Sequence, residues 1–179
     1  MANRSDSVGI SQMDSLRTFQ RLDVSYAFGV QIKNENFIYN PGIGFQMVYG
    51  LQPKKDIGIG IGTGYQSFNQ EQFIPVFFEI YGYTQKKKNT PVIKTQLGYS
   101  LGWYDGNVDA DEYSFKGGFF MDAGVAMKYY MDSKYALQFE LSYRHQFASM
   151  DYVIYNIGDY SEELNYDMIL ITISIHRDR

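Results

Sequence analysis

Residues 57–65 read IGIGIGTGY, with glycine at Gly58, Gly60, Gly62 and Gly64 and larger residues between them. Because successive side chains of a β-strand point to opposite faces, one face of this segment is bulky and mostly apolar, and the other is almost bare. The solvent-exposed face of a soluble sheet usually carries polar side chains instead. The pattern is typical of a strand whose bulky face contacts lipid and whose small face lines a narrow, crowded barrel lumen.

The composition predicts an all-β chain. Its 179 residues include 17 Tyr, 13 Phe and 17 Gly but only 4 Pro, which favours strands and turns over helices. The net charge of −4 gives no basic footprint for nucleic acid, and the absence of cysteine excludes disulfides and thiolate metal sites. We interpret residues 1–20, which are polar and aperiodic, as a flexible arm, and residues 21–179 as one domain.

Eight segments of alternating polarity follow one another along this domain. They cover residues 22–32, 42–52, 57–66, 73–83, 91–104, 119–131, 135–147 and 166–176. An even number of segments of about 9 to 11 residues is what a single-chain membrane barrel requires. The sequence therefore predicts an eight-stranded antiparallel up-and-down transmembrane β-barrel, with pairing interrupted at Pro75, which cannot donate to a ladder.

The connections between the segments predict which barrel end faces which side of the membrane. Three connections are tight turns, and those at the opposite end are longer, except for a short one around Asn69. Short turns mark the periplasmic rim and long loops the extracellular rim, so both termini fall on the periplasmic side. We interpret residues 148–165 as a hairpin extension beyond the membrane. Six outward aromatic residues form the two predicted interface girdles: Tyr49, Tyr65, Tyr99, Trp103, Tyr129 and Tyr135.

Seven ionisable residues fall on the inward face of the predicted strands: Asp23, Glu79, Lys94, Asp122, Lys128, Glu140 and Arg144. An eight-stranded barrel is just wide enough inside to be filled by side chains. We therefore expect these charges to pair in a network that fixes the strand register and plugs the lumen, because buried ions persist when paired. A narrow ion path along the same residues is the alternative.

An acidic loop superficially suggests calcium, which prefers clustered oxygen ligands. Its residues are Asp105, Asn107, Asp109, Asp111 and Glu112. Aligned on an EF-hand loop, however, the glycine position holds Ala110 and the bidentate glutamate position holds Lys116. We predict a solvated acidic loop and no metal site.

A membrane-embedded lipid hydrolase is a second alternative function. His145 faces outward near the predicted extracellular rim, where lipid A deacylases place a His with a Ser and an acid, and Ser149 and Asp151 are its potential partners. These spacings match no hydrolase motif, so we predict a non-catalytic His145 and no enzyme. We interpret His176, beside two arginines, as part of a charged chain end.

Residues 73–83 (FIPVFFEIYGY) and 90–103 (TPVIKTQLGYSLGW), with the Lys-rich turn between them, resemble the small outer-membrane β-barrel domain family of Gram-negative bacteria, particularly of Bacteroidetes. The predicted shape also resembles OmpX and the transmembrane domain of OmpA. The resemblance implies an eight-stranded barrel in the bacterial outer membrane and no catalytic residues. Two features depart from it: the chain ends without the usual aromatic residue, and its start lacks a signal peptide, so we expect Met1 to begin a mature-length chain.

We therefore predict a non-enzymatic integral outer-membrane protein, without cofactors, that serves envelope structure, adhesion or loop-mediated binding. Its expected partners are outer-membrane lipid and an extracellular protein or glycan, and we expect a monomer. A soluble barrel of the lipocalin type, with the apolar face around a small ligand, is a third alternative. It would leave the bare face of residues 57–65 in water.

Overall fold

The computed structural model describes residues 17–33, 36–54, 56–83, 88–106, 112–154 and 158–178. They form nine strands: β1 (Arg17–Lys33), β2 (Asn36–Tyr39), β3 (Gly42–Lys54), β4 (Ile57–Ser67), β5 (Glu71–Tyr83), β6 (Asn89–Tyr104), β7 (Glu112–Tyr130), β8 (Tyr135–Ile154) and β9 (Gly158–Asp178). Within those ranges, no helix is long and apolar enough to span a membrane. Residues 17–20 of the predicted arm belong to β1, and the rest of the arm lies outside the described residues.

The nine strands form one antiparallel sheet, which closes because β1 also pairs with β9. β2 and β3 both pair with β1 and are separated only by Asn40 and Pro41, so they occupy a single position in the wall. The barrel therefore has eight wall positions, which confirms the predicted fold class. On the β4 side of β5, pairing is skipped between the pairs Thr63–Val76 and Gln66–Phe73. This skip includes Pro75, where the interruption was expected.

The orientation of the side chains agrees with the alternating pattern. Phe28, Leu97 and Phe139 point outward and are 44 %, 48 % and 52 % exposed, whereas Asp23 and Arg144 are buried inside. The lipocalin-type alternative is wrong, since the large apolar side chains cover the outside of the barrel. A wall of this kind is suited to hydrocarbon.

The bare face of β4 is required by crowding in the lumen. A Cβ atom added at Gly62 would lie 2.4 Å from the ring of Phe77, and one at Gly64 would lie 2.2 Å from the carbonyl oxygen of Phe45. Atoms at these separations overlap. Glycine therefore lets β4 approach the opposite side chains and the neighbouring backbone closely.

The lumen contains two apolar clusters, one toward each end of the barrel. We call the end with the longer connections the loop end and the end with the tight turns the turn end. The cluster at the loop end includes Phe68, Phe73, Phe115, Tyr166 and Met168. The cluster at the turn end includes Phe19, Val48, Phe77, Tyr81 and Phe120. Along β1, residues Arg21 and Asp23 lie between Phe19 of one cluster and Ala27 of the other. The middle of the lumen is therefore polar and both ends are largely apolar.

The rim at the loop end is uneven because the last three strands are the longest. β7, β8 and β9 contain 19, 20 and 21 residues, against 11 in β4. β7 starts seven positions before the predicted residue 119, so part of the predicted loop is strand. β6 and β7 pair only as far as Tyr99 and Phe119, and β1 and β9 as far as Ile32 and Asn165. Beyond these points, residues 112–118, 148–154 and 158–164 form a three-stranded projecting sheet, which includes the predicted hairpin extension.

Candidate functional site

The predicted lumen charges all lie inside the barrel. Each is at most 4 % exposed: Asp23, Glu79, Lys94, Asp122, Lys128, Glu140 and Arg144. They come from β1, β5, β6, β7 and β8, because the inward positions of antiparallel neighbours fall in common rows across the wall. We call these residues other than Lys128, together with Arg21 and Gln96, the charged layer.

Arg21 is the central cation of this layer, and sequence reasoning missed it. Its guanidinium donates to both carboxylate oxygens of Asp23, at 2.8 and 3.0 Å, and to both of Glu79, at 2.7 and 2.5 Å. Arg21 itself is 2 % exposed. Two acids thus share one planar cation in the bidentate geometry that is strongest for arginine.

A hydrogen-bonded chain extends from Arg21 across the lumen. Gln96 donates to Glu79 at 2.7 Å and accepts from Arg144 at 3.0 Å. Arg144 in turn donates to Asp122 at 3.1 Å. Strands β1, β5, β6, β7 and β8 are therefore joined through side chains at one level. Beside this chain, the ammonium of Lys94 pairs with Glu140.

Lys128 belongs to a separate group at the turn end. Its ammonium lies 3.2 Å from a carboxylate oxygen of Asp178 and 3.2 Å from the hydroxyl of Tyr83. His176 lies in the same region, is 2 % exposed and packs edge-on against Phe19. The interpretation of His176 as a charged chain end is wrong, because β9 continues to Asp178 and turns this ring into the lumen.

The charges of the lumen balance closely. Arg21, Lys94 and Arg144 face four acids of the charged layer, and Lys128 pairs with Asp178 nearby. Taking charges out of water is costly unless they are paired and hydrogen-bonded, which explains the direct contacts. Chemically, the arrangement fixes side chains across the lumen and offers few groups for reaction.

A further buried acid, Glu71, lies near the loop end. Asn40 donates to one of its oxygens at 2.9 Å and Gln31 to the other at 3.4 Å, while Gln31 also donates to Tyr166 at 3.0 Å. These contacts connect the start of β5 with the break between β2 and β3 and with β9. Glu71 precedes the predicted strand, which begins at Phe73, so its inward position was not anticipated.

His145 lies on the outward face and has an acidic partner that the sequence did not indicate. Its Nδ1 is 2.7 Å from Oδ1 of Asp167, and the hydroxyl of Tyr143 donates to the same oxygen at 2.5 Å. The two potential partners named from the sequence lie further along β8. Asp151 instead accepts from Lys116 and from a serine of β9, and Ser149 lies four positions further along β8.

The six girdle aromatics are all outward and between 37 % and 53 % exposed: Tyr49, Tyr65, Tyr99, Trp103, Tyr129 and Tyr135. At the loop end, the Tyr65 and Trp103 rings are 6.1 Å apart, and Tyr99 donates to the Gly117 carbonyl at 3.1 Å. Of the acidic loop, Asp105 and Glu112 are exposed, and its other members, Asn107, Asp109 and Asp111, lie outside the described residues.

Comparison with known proteins identifies the architecture. No model of a protein family and no curated protein matches this sequence. The structure is similar to that of outer membrane protein AlkL in DMPC lipid bilayers, with a TM-score of 0.66 and 9 % identity over 99 % of this chain and 97 % of that one. It is also similar to Neisserial surface protein A (NspA), with a TM-score of 0.57 and 9 % identity over 88 % and 95 % of the two chains.

These similarities show the fold. Both neighbours are described as surface or outer-membrane proteins, and this chain has the same closed barrel with an apolar outer wall. The predicted resemblance to small outer-membrane barrels of the OmpA and OmpX type is confirmed in architecture. The predicted location in the bacterial outer membrane agrees with it.

Proposed function

We propose that this chain is a non-enzymatic outer-membrane barrel that is sealed along its axis and acts through its projecting sheet. In this proposal the barrel is a rigid anchor in the membrane. The projecting sheet holds an extracellular protein or glycan or contributes to adhesion. The barrel supplies the stability, and the projecting sheet supplies the contacts with the partner.

The observation that carries the sealed lumen is the chain of contacts from Arg21 through Glu79 and Gln96 to Arg144 and Asp122. An ion crossing the barrel would have to separate these pairs while they are buried, which is unfavourable. Aromatic clusters lie toward both ends of the same path. The narrow pore alternative is therefore disfavoured.

The projecting sheet offers a row of tyrosines for binding. Tyr113 of β7 pairs with Tyr152 of β8, and Tyr152 pairs with Tyr160 of β9, so the three lie in one row on one face. The Tyr152 and Tyr160 rings stack at 5.4 Å, while Tyr113 and Tyr160 are 44 % and 40 % exposed. Tyrosine combines a large apolar ring with a polar tip, which suits it to interfaces.

The hydrolase alternative gains an acid, but among the described residues no nucleophile is paired with His145. Asp167 is placed to orient His145, as the third member of a triad would be. In the neighbouring strands, however, the residues paired with His145 are Met121 and Asp167, and the next outward residue of β8 is Phe147. None of these is a nucleophile for acyl transfer.

Conductance in planar bilayers tests the sealed barrel. We expect the refolded protein to insert without steady current. A triple variant with Arg21, Glu79 and Arg144 each changed to Ser, if it still folds, should conduct and serves as the positive control. Large steady currents from the unchanged protein would refute the sealed lumen.

Adhesion of expressing cells tests the role of the projecting sheet. Replacing residues 150–162 with an Asn-Gly turn shortens β8 and β9 and keeps their pairing from Ser149 and Glu163 downward. We expect cells that display the shortened variant on their surface to lose adhesion to plates coated with host matrix or glycan. Equal adhesion at equal display would exclude this role.

A further inference from the structure

Three polar side chains lie together on the outer wall, where most neighbours are apolar. Tyr143, His145 and Asp167 share the contacts described above, and their side chains face the membrane side of the barrel. His145 follows Tyr135, the first residue of β8, by ten positions. At the usual rise and tilt of barrel strands this is about 25 Å along the membrane normal, close to the upper edge of the apolar band.

A groove in the apolar wall begins directly beside this polar group. It has a volume of about 480 Å³ and is lined by Ile93, Thr95, Ala123, Val125, Leu141, Tyr143 and Ile169, with the backbone positions between them. Thr95, Ala123 and Tyr143 form one row, since Ala123 pairs with both of the others. The groove exists because two small side chains are adjacent in a wall of large ones.

Tyr143 connects the polar group with the groove. Its hydroxyl bonds to Asp167 on β9, so the ring is held toward β9 and away from Ala123 on β7. The row above Ala123 and Tyr143 contains Met121 and His145, and the row below them, which also lines the groove, contains Val125 and Leu141. The polar group thus lies at the upper end of a groove that runs down the wall.

We propose that this surface binds one lipid whose headgroup carries a primary ammonium, with an acyl chain in the groove. The carboxylate of Asp167 accepts hydrogen bonds from Tyr143 and His145 through the same oxygen, Oδ1. Asp167 supplies one negative charge, and its second oxygen, Oδ2, takes no part in these two contacts. An ammonium group brings three donors and the opposite charge, which matches the carboxylate oxygens, whereas a headgroup without a cation offers Asp167 no charged donor.

The lower half of the site is lined mostly by apolar side chains and fits hydrocarbon. The side chains around Ala123 are Ile93, Val125, Leu141 and Ile169, each at least 53 % exposed on the outer wall. An acyl chain lying in the groove makes close van der Waals contacts with these side chains. Loosely packed lipid at the wall would make fewer such contacts. The proposal is independent of what the projecting sheet binds.

Native mass spectrometry of the full protein released from micelles tests the site. The probes are phosphatidylethanolamine and phosphatidylglycerol with identical acyl chains. We expect retention of one phosphatidylethanolamine in preference to phosphatidylglycerol. Asp167→Asn should reduce that retention about tenfold, the equivalent of one charge-assisted hydrogen bond, and Asp167→Glu should restore most of it.

Ala123→Leu fills the groove and should also reduce retention, while Thr63→Leu on the outward face of β4 is the matched control and should not. The heat-dependent shift in gel mobility identifies variants that fold. Equal retention of both lipids, unchanged by Asp167→Asn, would overturn the proposal. So would a dimer that is lost in Ala123→Leu, because the groove would then hold a second copy of the chain.

Discussion

Replacement of Arg21 by methionine removes the central cation of the charged layer with little change in side-chain length. The unchanged protein has four N–H···O contacts from this guanidinium, two to Asp23 and two to Glu79. Both acids are at most 2 % exposed, so water cannot replace the lost donors without entering the lumen. The variant leaves buried carboxylates that keep only their remaining partners, such as Gln96 at Glu79.

Breaking a buried ion pair by removing one partner costs about 3–5 kcal/mol. We take about 4 kcal/mol for Arg21→Met and an m-value of about 2 kcal/mol/M, which lowers the urea midpoint of unfolding by about 2 M. The measurement is urea titration of the protein in lipid vesicles, followed by the heat-dependent shift in gel mobility and by circular dichroism.

The matched control removes the charges on both sides. In the triple variant Arg21→Met, Asp23→Asn, Glu79→Gln the buried charge is gone, so most of the lost stability should return. A midpoint for Arg21→Met within about 0.5 M of the unchanged protein, or a triple variant less stable than the single one, would refute the reasoning that pairing stabilises this layer.

Three further measurements address the wall, the packing and the turns. Ile61→Arg puts a charge on the lipid face near the middle of β4 and should destabilise by about 2–4 kcal/mol, whereas Ile57→Arg, at the turn end, should cost about 0–1 kcal/mol; equal urea midpoints would contradict the membrane orientation. Gly64→Ala should destabilise by about 1–3 kcal/mol because its Cβ meets backbone, while Gly82→Ala, whose nearest contact is 3.9 Å, should be nearly neutral. Backbone N–H groups after Asp132 hold the pKa of its carboxyl below the ordinary value. The stability that this carboxylate contributes is therefore present above the ordinary pKa and is lost as the pH falls through the lowered pKa. Asp132→Asn should flatten this acid dependence of stability, and an unchanged curve of urea midpoint against pH would exclude the contribution.

The fold could be predicted from the sequence because alternation determines which side chains share a face. The alternation of glycine with large residues specified both the β4 strand and its orientation, at Gly58, Gly60, Gly62 and Gly64. The seven predicted charges all lie inside the barrel. A period of two is preserved whatever the neighbouring strands do. Pairing between particular charges depends on register and side-chain reach, which the alternation does not contain.

Arg21 was missed, and His176 was interpreted as a charged chain end, because both are near ends of the regular pattern. Phe19, Arg21 and Asp23 continue the inward positions of β1, but the preceding polar residues hid the start of the strand. His176 continues the inward positions of β9, although the charged residues after it resembled a chain end. In both cases the two-residue period was the available signal. The partner of His145 could not be found in this way, because Asp167 is 22 positions away and outward on another strand.

The charged layer couples assembly to electrostatics. Arg21 and Glu79 are 58 positions apart, on the first strand and on a strand near the middle of the chain, while Arg144 and Gln96 are 48 positions apart. A half-formed sheet would carry these ions separated at the hydrocarbon boundary, where isolated charge is expensive. The ions of the charged layer are all paired only when the sheet has curved enough to bring its opposite sides into contact. Closure of the barrel between β1 and β9 and neutralisation of these ions therefore occur together. Unpaired ions raise the free energy of partially inserted forms for this reason. The closed barrel is the first state in which each of these ions has a partner of opposite charge.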